Sequence, residues 1–200
     1  MNKPLFITGI GTGIGKTIVS AILVESLKAD YWKPVQSGDL DDSDTLKVQS
    51  LVSNTKTVFH PEAYRLTQPY SPHKSAALDG IEIDPSTIIS PKTDNTLIIE
   101  GAGGLMVPLN NTFLMIDLIQ QLDADVVLVV KHYLGSINHS LLSIEALQRR
   151  NIPIKALIFN GVPNESSEEV IKKFAQCRIL SIPDIQSMRK ENIARIKIDL

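Results

Sequence analysis

Cysteine is almost absent from this chain. Cys177 is the only cysteine in 200 residues, which excludes a disulfide within the chain and a metal site built on several thiolates. A single cysteine with no partner is most simply a small, partly buried apolar residue.

An excess of charge of either sign is also missing. Lys and Arg total 20 and Asp and Glu total 22, a formal net charge of −2. There is no basic patch or tail to attract nucleic acid or an anionic membrane surface. No apolar run approaches the ~20 residues of a membrane span, and the N-terminus lacks the pattern of a secretory signal. We therefore expect a cytoplasmic protein with neither a nucleic acid nor a membrane as partner.

The chain does contain regularly spaced apolar runs. Several of them are continuous and not alternating, which is typical of strands covered on both faces. The strand-like runs are Leu5–Thr8, Tyr31–Lys33, Leu97–Ile99, Val126–Val130, Ala156–Phe159 and, more weakly, Arg178–Ile182. Helical patterns fall between them, at Lys16–Ala29, Asp44–Val52, Phe113–Gln121, Ile137–Arg150 and Ser166–Gln176.

This alternation predicts an α/β fold with a mostly parallel central sheet, helices on both faces and right-handed crossovers. Residues 61–91 hold five of the eleven prolines and predict a long excursion with a short helix near Ser75–Leu78. No repeat or linker divides the sequence, and 200 residues suffice for one well-packed core. We expect residues 1–200 to form a single domain.

The strongest chemical signal is a glycine-rich segment, Thr8–Thr17, with the sequence TGIGTGIGKT. It lies between a predicted strand and a predicted helix, where backbone N–H groups and a helix N-terminus can bind phosphate. Lys16 would reach the β- and γ-phosphates, and the Thr17 hydroxyl would ligate Mg²⁺. Five residues separate Gly9 from Gly15, one more than the usual pattern. The alternative is an ordinary strand–helix turn, but composition and position together favour nucleoside triphosphate binding.

Two acidic residues and a lysine are candidates for the rest of a nucleotide site. Glu100 ends an apolar run and is followed by a glycine-rich stretch that predicts a flexible turn, so it should face the crevice at the carboxyl ends of the strands and bind Mg²⁺. Asp44 begins a predicted helix and is either a second metal ligand or a first-turn acid. Lys33 ends the second predicted strand. It either neutralises charge on a transferred phosphoryl group or is a surface lysine.

Six motifs, in order, resemble those of the dethiobiotin synthetases of biotin biosynthesis. The motifs are Gly9 with Gly15-Lys16-Thr17, Trp32–Gly38, Ser43-Asp44, Pro69–His73, Glu100–Gly104 and Leu134–His139. Asn160–Val162 and Ile182-Pro183 match less closely. The resemblance covers most of the chain and implies a three-layer P-loop NTPase fold.

The resemblance also implies an activity, that of an ATP- and Mg²⁺-dependent cyclo-ligase. In that family one amine of 7,8-diaminononanoate takes up CO₂ as a carbamate, and the carbamate attacks the γ-phosphate of ATP. The second amine then closes the ureido ring of dethiobiotin, and ADP and phosphate are released. The family acts as a homodimer in which a helix of the neighbouring subunit completes the active site.

Residue roles follow from the same resemblance. It implies catalytic roles for Thr12, Lys16 and Lys33, and Mg²⁺ ligation by Thr17, Asp44 and Glu100. The nucleotide would contact Gly13, Ile14, Gly15, Lys16, Thr17 and Ile18, with Asn160 and Pro183 near the adenine. The substrate would contact Ser37, Gly101 and Gly103, and its carboxylate would bind the backbone N–H groups of Ser136, Ile137 and Asn138.

Other classes of function are alternatives to this one. A nucleotide-dependent switch of the partition-ATPase type usually carries an additional lysine early in the phosphate loop, and this loop contains no lysine before Lys16. Such proteins often carry a membrane-seeking tail, whereas Ile193–Leu200 alternates apolar and polar residues in a strand-like pattern. A small-molecule kinase remains an alternative, as does an amidoligase, although no Cys/His pair suggests a glutaminase.

Overall fold

The computed structural model describes residues 3–200, and its centre is a parallel sheet of seven strands. These strands are β1 (Leu5–Gly9), β2 (Asp30–Trp32), β4 (Phe59–His60), β6 (Leu97–Gly104), β7 (Asp125–Val130), β8 (Ile154–Asn160) and β9 (Arg178–Ile182). Their order across the sheet is β4-β2-β6-β1-β7-β8-β9, and every neighbouring pair is parallel. The remaining strands, β3 (Val35–Ser37) and β5 (Tyr64–Leu66), pair in a small parallel sheet of their own.

Helices cover both faces of the central sheet. They are α1 (Lys16–Leu27), α2 (Asp44–Leu51), α3 (Pro72–Leu78), α4 (Met115–Gln121), α5 (Ser136–Arg149), α6 (Glu165–Phe174) and α7 (Lys190–Arg195). Helices α1, α2 and α7 pack together, and α5 packs against α6. The chain leaves β1 toward β2 in one direction and leaves β7 and β8 in the other, so right-handed crossovers place these two groups on opposite faces. The predicted three-layer α/β fold is confirmed.

The core explains why the apolar runs are continuous. Every residue of β1 is buried, as are residues 126–130 of β7, because helices cover the strands on both sides. The segment between β1 and α1 carries the glycines, so the fold brings them to the carboxyl edge of the sheet. None of the helices described in residues 3–200 has the length and apolar character needed to cross a membrane.

The glycine-rich stretch after Glu100 departs from the sequence interpretation. We expected a flexible turn, but β6 continues to Gly104, which pairs with Gly9 of β1. A Cβ at Gly101 would lie 2.6 Å from Cε1 of Phe6, so the glycine lets the strand pack closely against β1. Glu100 therefore lies within a strand, where its backbone position is fixed.

The C-terminal expectation was also wrong. The alternation in Ile193–Leu200 predicted a strand, but Ile193 lies in α7 and the residues after Arg195 form no strand. The Ser26 hydroxyl of α1 donates to the Ile196 carbonyl at 3.1 Å and accepts from the Ile198 N–H at 3.2 Å. The backbone of this segment is thus hydrogen-bonded to a helix side chain and not to a sheet edge.

A buried carboxylate, Glu25, ties α1 to the end of α2. It accepts hydrogen bonds from the N–H of Ser53 (2.7 Å), the N–H of Asn54 (3.0 Å) and the Ser53 hydroxyl (2.9 Å). Burial acts to raise the pKa of Glu25, but these hydrogen bonds outweigh it and hold the pKa below its ordinary value. We expect Glu25→Gln to lower the free energy of unfolding by about 1.5–3 kcal/mol at neutral pH, because an amide cannot accept all three bonds.

The way in which this loss of stability changes with pH shows whether the charged Glu25 carboxylate is its cause. A depressed pKa in the folded state contributes stability above the ordinary value of 4.5, and this contribution is lost as pH falls through the folded-state pKa. Urea unfolding should therefore show the two proteins converging as pH drops below 4.5. Glu169→Gln, at an exposed position of α6, is the matched control. A difference between Glu25→Gln and the wild type that is constant with pH would contradict this account.

Candidate functional site

A cavity of about 810 Å³ opens at the carboxyl edge of the sheet. It lies between the phosphate loop, the ends of β2 and β6, the small sheet and the segment before α3. Its walls include most of the predicted site residues: Thr12, Gly13, Gly15, Lys16, Thr17, Ile18, Lys33, Ser37, Asp44, Glu100, Gly101 and Gly103. Segments far apart in sequence thus converge on one space.

The phosphate loop is held by a neighbouring strand. Gly15 has a φ of +90°, which favours glycine, and a Cβ there would collide with Nδ2 of Asn160. Asn160, at the end of β8, donates from Nδ2 to the Ile14 carbonyl at 2.9 Å. The loop leads directly into α1, whose first turn supplies free N–H groups for an anion. Asn160, predicted near the adenine, therefore contacts the phosphate loop itself.

Lys16 is buried in this loop. Only 8% of the residue is exposed, and its Nζ donates to the Gly11 carbonyl at 3.1 Å. Burial lowers the pKa of Lys16 to about 8; the charge of Lys33 acts in the same direction, and the carboxylate charge of Glu100 opposes both. A bound phosphate would give this ammonium group an anionic partner.

Lys33 joins the two predicted metal-binding carboxylates. Its Nζ lies 2.7 Å from Oδ2 of Asp44 and 3.4 Å from Oε1 of Glu100. Burial acts to lower the pKa of Lys33, but the negative charges of Glu100 and Asp44 outweigh it and raise the pKa. Burial likewise acts to raise the pKa of Asp44, and Lys33 holds it below its ordinary value. With 3% of Lys33 exposed, the interpretation of this residue as a surface lysine was wrong.

The oxygen atoms around Lys33 suit Mg²⁺. The Thr17 hydroxyl donates to Oε1 of Glu100 at 2.9 Å, so hydroxyl and carboxylate meet at one point. The Lys33 ammonium, bound to both carboxylates, shows that this point accepts a cation. Residues 3–200 contain no group of three or more His, Cys, Asp or Glu side chains able to hold a metal alone. Hard oxygen donors in a partial shell fit Mg²⁺, which usually takes its remaining ligands from water and phosphate.

Two side chains at the site carry no sequence assignment. The Tyr31 hydroxyl donates to Oε2 of Glu100 at 2.9 Å. Gln36 accepts from the Asp44 N–H at 3.2 Å and donates to the Gly38 carbonyl at 2.9 Å, which positions the start of α2. Gln36 lies within the Trp32–Gly38 motif, so the sequence did mark its position. Nothing in the sequence marks Tyr31, because its position depends on strand register.

Six predicted residues do not line this cavity. Ile14 and Asn160 hold the phosphate loop from behind through their hydrogen bond, and the other four lie elsewhere. Pro183 follows β9 and is exposed at the same edge of the sheet, where the Gly161 N–H donates to the Ile182 carbonyl at 2.9 Å. Ser136, Ile137 and Asn138 begin α5. The Ser136 N–H donates to the Tyr133 carbonyl at 2.9 Å.

A second cavity, of about 630 Å³, lies between the phosphate loop and residues 139–149 of α5. The phosphate loop forms one wall, including Thr12, which lines both cavities. His139 and Leu142 of α5 form the opposite wall, and Met106 lies beside them. Leu142 is 55% exposed and Met106 is 57% exposed, so apolar surface surrounds this opening.

The class of protein follows from this geometry. A parallel sheet, a glycine-rich loop between β1 and α1, and Gly-Lys-Thr at the helix start together define a P-loop NTPase fold. A ParA family ATPase from Chlorobium tepidum is similar at a TM-score of 0.56 and 15% identity, over 97% of this chain and 98% of that one. The MinC:MinD cell division protein complex of Aquifex aeolicus matches at 0.59 and 16%, over 97% and 86%. At these identities the likeness concerns the fold alone.

Sequence comparison is more specific. A family model described as an AAA domain matches residues 3–192. An ATP-dependent dethiobiotin synthetase from Christiangramia forsetii is 53% identical over 90% of this chain and 86% of its own length. One from Cytophaga hutchinsonii is 51% identical over 89% and 86%, and one from Agrobacterium fabrum is 42% identical over 96% and 91%. The chain belongs to the family of ATP-dependent dethiobiotin synthetases.

Proposed function

We propose that this chain closes the ureido ring of dethiobiotin from 7,8-diaminononanoate and CO₂, with ATP and Mg²⁺. One observation carries the proposal: in a chain of this family, Lys16, Lys33, Ser37, Asp44 and Glu100 all line one cavity. It would act in the cytoplasm as a single domain of residues 1–200, paired in a homodimer, with neither nucleic acid nor membrane as partner.

The phosphate loop would hold the triphosphate. Backbone N–H groups from Gly13 to Thr17 and the Thr12 side chain would surround the β- and γ-phosphates, and the Lys16 ammonium would leave the Gly11 carbonyl for them. Mg²⁺, held by Thr17, Asp44 and Glu100, would offset further phosphate charge. These groups act by position and electrostatics, because carbamate and triphosphate are both anions that repel each other.

Ser37 and Lys33 would bind the reacting end of the substrate. The Ser37 hydroxyl lines the cavity, is shielded from solvent and has no hydrogen-bond partner among residues 3–200, as expected for a group that binds a ligand. The Lys33 ammonium would pair with the carbamate, whose oxygen attacks the γ-phosphorus while the bond to ADP breaks. The second amine then attacks the carbamate carbon, phosphate leaves, and the ring closes with loss of the amine proton.

The homodimer would complete the site. The start of α5 lies outside the cavity of its own chain, and the N–H groups of Ile137 and Asn138 have no hydrogen-bond partner in the described part of the chain. A second copy placed over the apolar surface at Met106 and Leu142 would cover it and bring these N–H groups to the substrate carboxylate. That arrangement would bind the carboxylate at a helix N-terminus.

The test of the function is ADP release from Mg-ATP with bicarbonate, with and without 7,8-diaminononanoate, with dethiobiotin followed by mass spectrometry. We expect diamine-dependent ADP release matched by an equal amount of dethiobiotin. ATP hydrolysis that ignores the diamine and yields no dethiobiotin would contradict the proposal and favour a nucleotide-dependent switch.

Mixing two impaired variants, at a diamine concentration well below the raised KM, tests the shared site. Asn138→Asp places a negative charge beside the proposed carboxylate site without removing a backbone N–H, and should raise the KM for the diamine at least about tenfold through charge repulsion. Lys16→Gln disables the phosphate loop. If α5 serves the neighbouring subunit, a heterodimer of the two variants contains one intact site, and an equal mixture should recover about a quarter of wild-type activity.

The controls separate this result from damage to the helix. Asn138→Ala keeps the backbone N–H and should behave like the wild type, alone or mixed. No recovery of activity on mixing, after exchange of subunits has been verified, would show that α5 acts within its own chain. A monomer with full activity at nanomolar concentration would equally refute the shared site.

A further inference from the structure

The geometry of β2 and β6 directs Tyr31 to Glu100. Tyr31 pairs with Ile98 in the parallel register, and Glu100 follows Ile98 by two residues, so all three side chains lie on one face of the sheet. Glu100 is thus the diagonal neighbour of Tyr31 across the two strands. The Tyr31 ring reaches over this distance, and its hydroxyl donates to Oε2 of Glu100 at 2.9 Å. Tyr31 is 0% exposed, and Glu100 is its one side-chain hydrogen-bond partner in residues 3–200.

The two oxygens of Glu100 have different partners. Oε1 accepts from the Thr17 hydroxyl at 2.9 Å and lies 3.4 Å from the Lys33 ammonium. Both of those groups have functions in the proposed reaction that draw them away, toward the metal and the carbamate. Within the described part of the chain, Oε2 accepts from Tyr31 alone. Only Oε1 therefore becomes free for a metal, while the phenol, fixed by burial on a short strand, keeps Oε2.

We propose that Tyr31 determines metal specificity, because its hydrogen bond restricts Glu100 to one metal-binding oxygen and so favours Mg²⁺ over Ca²⁺. The inference rests on the metal site of the proposed function. Mg²⁺ requires near-octahedral geometry with short bonds, to which a carboxylate contributes one oxygen, whereas the larger Ca²⁺ accepts both oxygens of a carboxylate in shells of six to eight. A phenol on Oε2 permits the first mode and obstructs the second.

Tyr31→Phe tests this with little change in volume. Mn²⁺ bound to the protein in complex with a non-hydrolysable ATP analogue would be followed by electron paramagnetic resonance, and displaced by Mg²⁺ and by Ca²⁺ in separate titrations. We expect the variant to lose preference for Mg²⁺ over Ca²⁺ by about tenfold, the size of one hydrogen bond to a charged group. Tyr64→Phe is the control. It removes the hydroxyl of a tyrosine on the small sheet, which is hydrogen-bonded to the Thr87 hydroxyl at 2.9 Å.

The outcomes separate the inference from what it rests on. An unchanged Mg²⁺/Ca²⁺ ratio in a folded Tyr31→Phe protein would overturn it, and Tyr31→Met, which also lacks the hydroxyl but packs more adaptably, must show the same change if it holds. If Glu100→Gln leaves Mn²⁺ binding intact, the metal site itself is wrong and the inference fails with it. Dethiobiotin formation by the wild type, measured separately, shows whether the proposed function survives either result.

Discussion

Replacement of Lys16 by glutamine is expected to abolish turnover. The Lys16 ammonium is the cation that the fold places within the phosphate loop, where its one hydrogen-bond partner among residues 3–200 is the Gly11 carbonyl at 3.1 Å. Its charge would matter most when the γ-phosphoryl group carries additional charge in the transition state. Removal of one such group from a desolvated site costs about 10²–10³-fold or more in rate. Glutamine keeps an N–H donor for Gly11, so the loop should keep its conformation.

Stability gives this prediction its control. Burial and the nearby charge of Lys33 both lower the pKa of Lys16, so the ammonium is unfavourably placed while no phosphate is bound. A neutral side chain should therefore leave the free energy of unfolding equal to or above that of the wild type. Turnover would be measured by ADP release, with Lys173→Gln on the exposed side of α6 as the matched lysine replacement. Turnover within a few-fold of wild type would remove Lys16 from its proposed role.

The sequence was most informative where the chemistry is local. The phosphate loop is continuous in the chain, and the helix after it begins at Lys16 as predicted. Apolar runs placed the strands of the central sheet well, because burial on both faces leaves a compositional mark on each strand by itself. The apolar runs did not reveal β4, because it has only two residues. They did not reveal β3 and β5 either, because each has only three residues and the two pair in a separate sheet.

Contacts between strands could not be predicted from the sequence, for a physical reason. The bond from Tyr31 to Glu100 depends on which residue of β2 pairs with which residue of β6, and a shift of one position would turn the ring to the opposite face. Burial of Lys33 depends on Asp44 and Glu100 arriving from two other segments. The motifs named these residues, but only the assembled fold shows that one ammonium group joins both acids.

Replacement of Lys33, the residue that joins the two acids, gives the other large expected effect. Lys33→Met should change turnover and metal binding in opposite directions. Without the ammonium, the Asp44 and Glu100 carboxylates lose the cation that now lies within 3.4 Å of both. Turnover should fall about 10²-fold or more, because the carbamate loses its cation. Mg²⁺ should bind more tightly than in the wild type, since it no longer competes with an internal charge for the same oxygens.

Stability links the two effects. In metal-free buffer the variant retains a buried carboxylate without its partner, which typically costs about 3–5 kcal/mol of unfolding free energy. Mg²⁺ that binds only the folded state restores stability in proportion to its affinity, so the unfolding temperature should rise more steeply with Mg²⁺ in Lys33→Met than in the wild type. Lys3→Met removes an exposed ion pair with Asp123, at 2.6 Å, and should show neither the loss nor the rescue. Equal Mg²⁺ dependence in Lys33→Met and the wild type would mean that Lys33 does not share its position with the metal, and a loss of turnover would then reflect its contact with the carbamate alone.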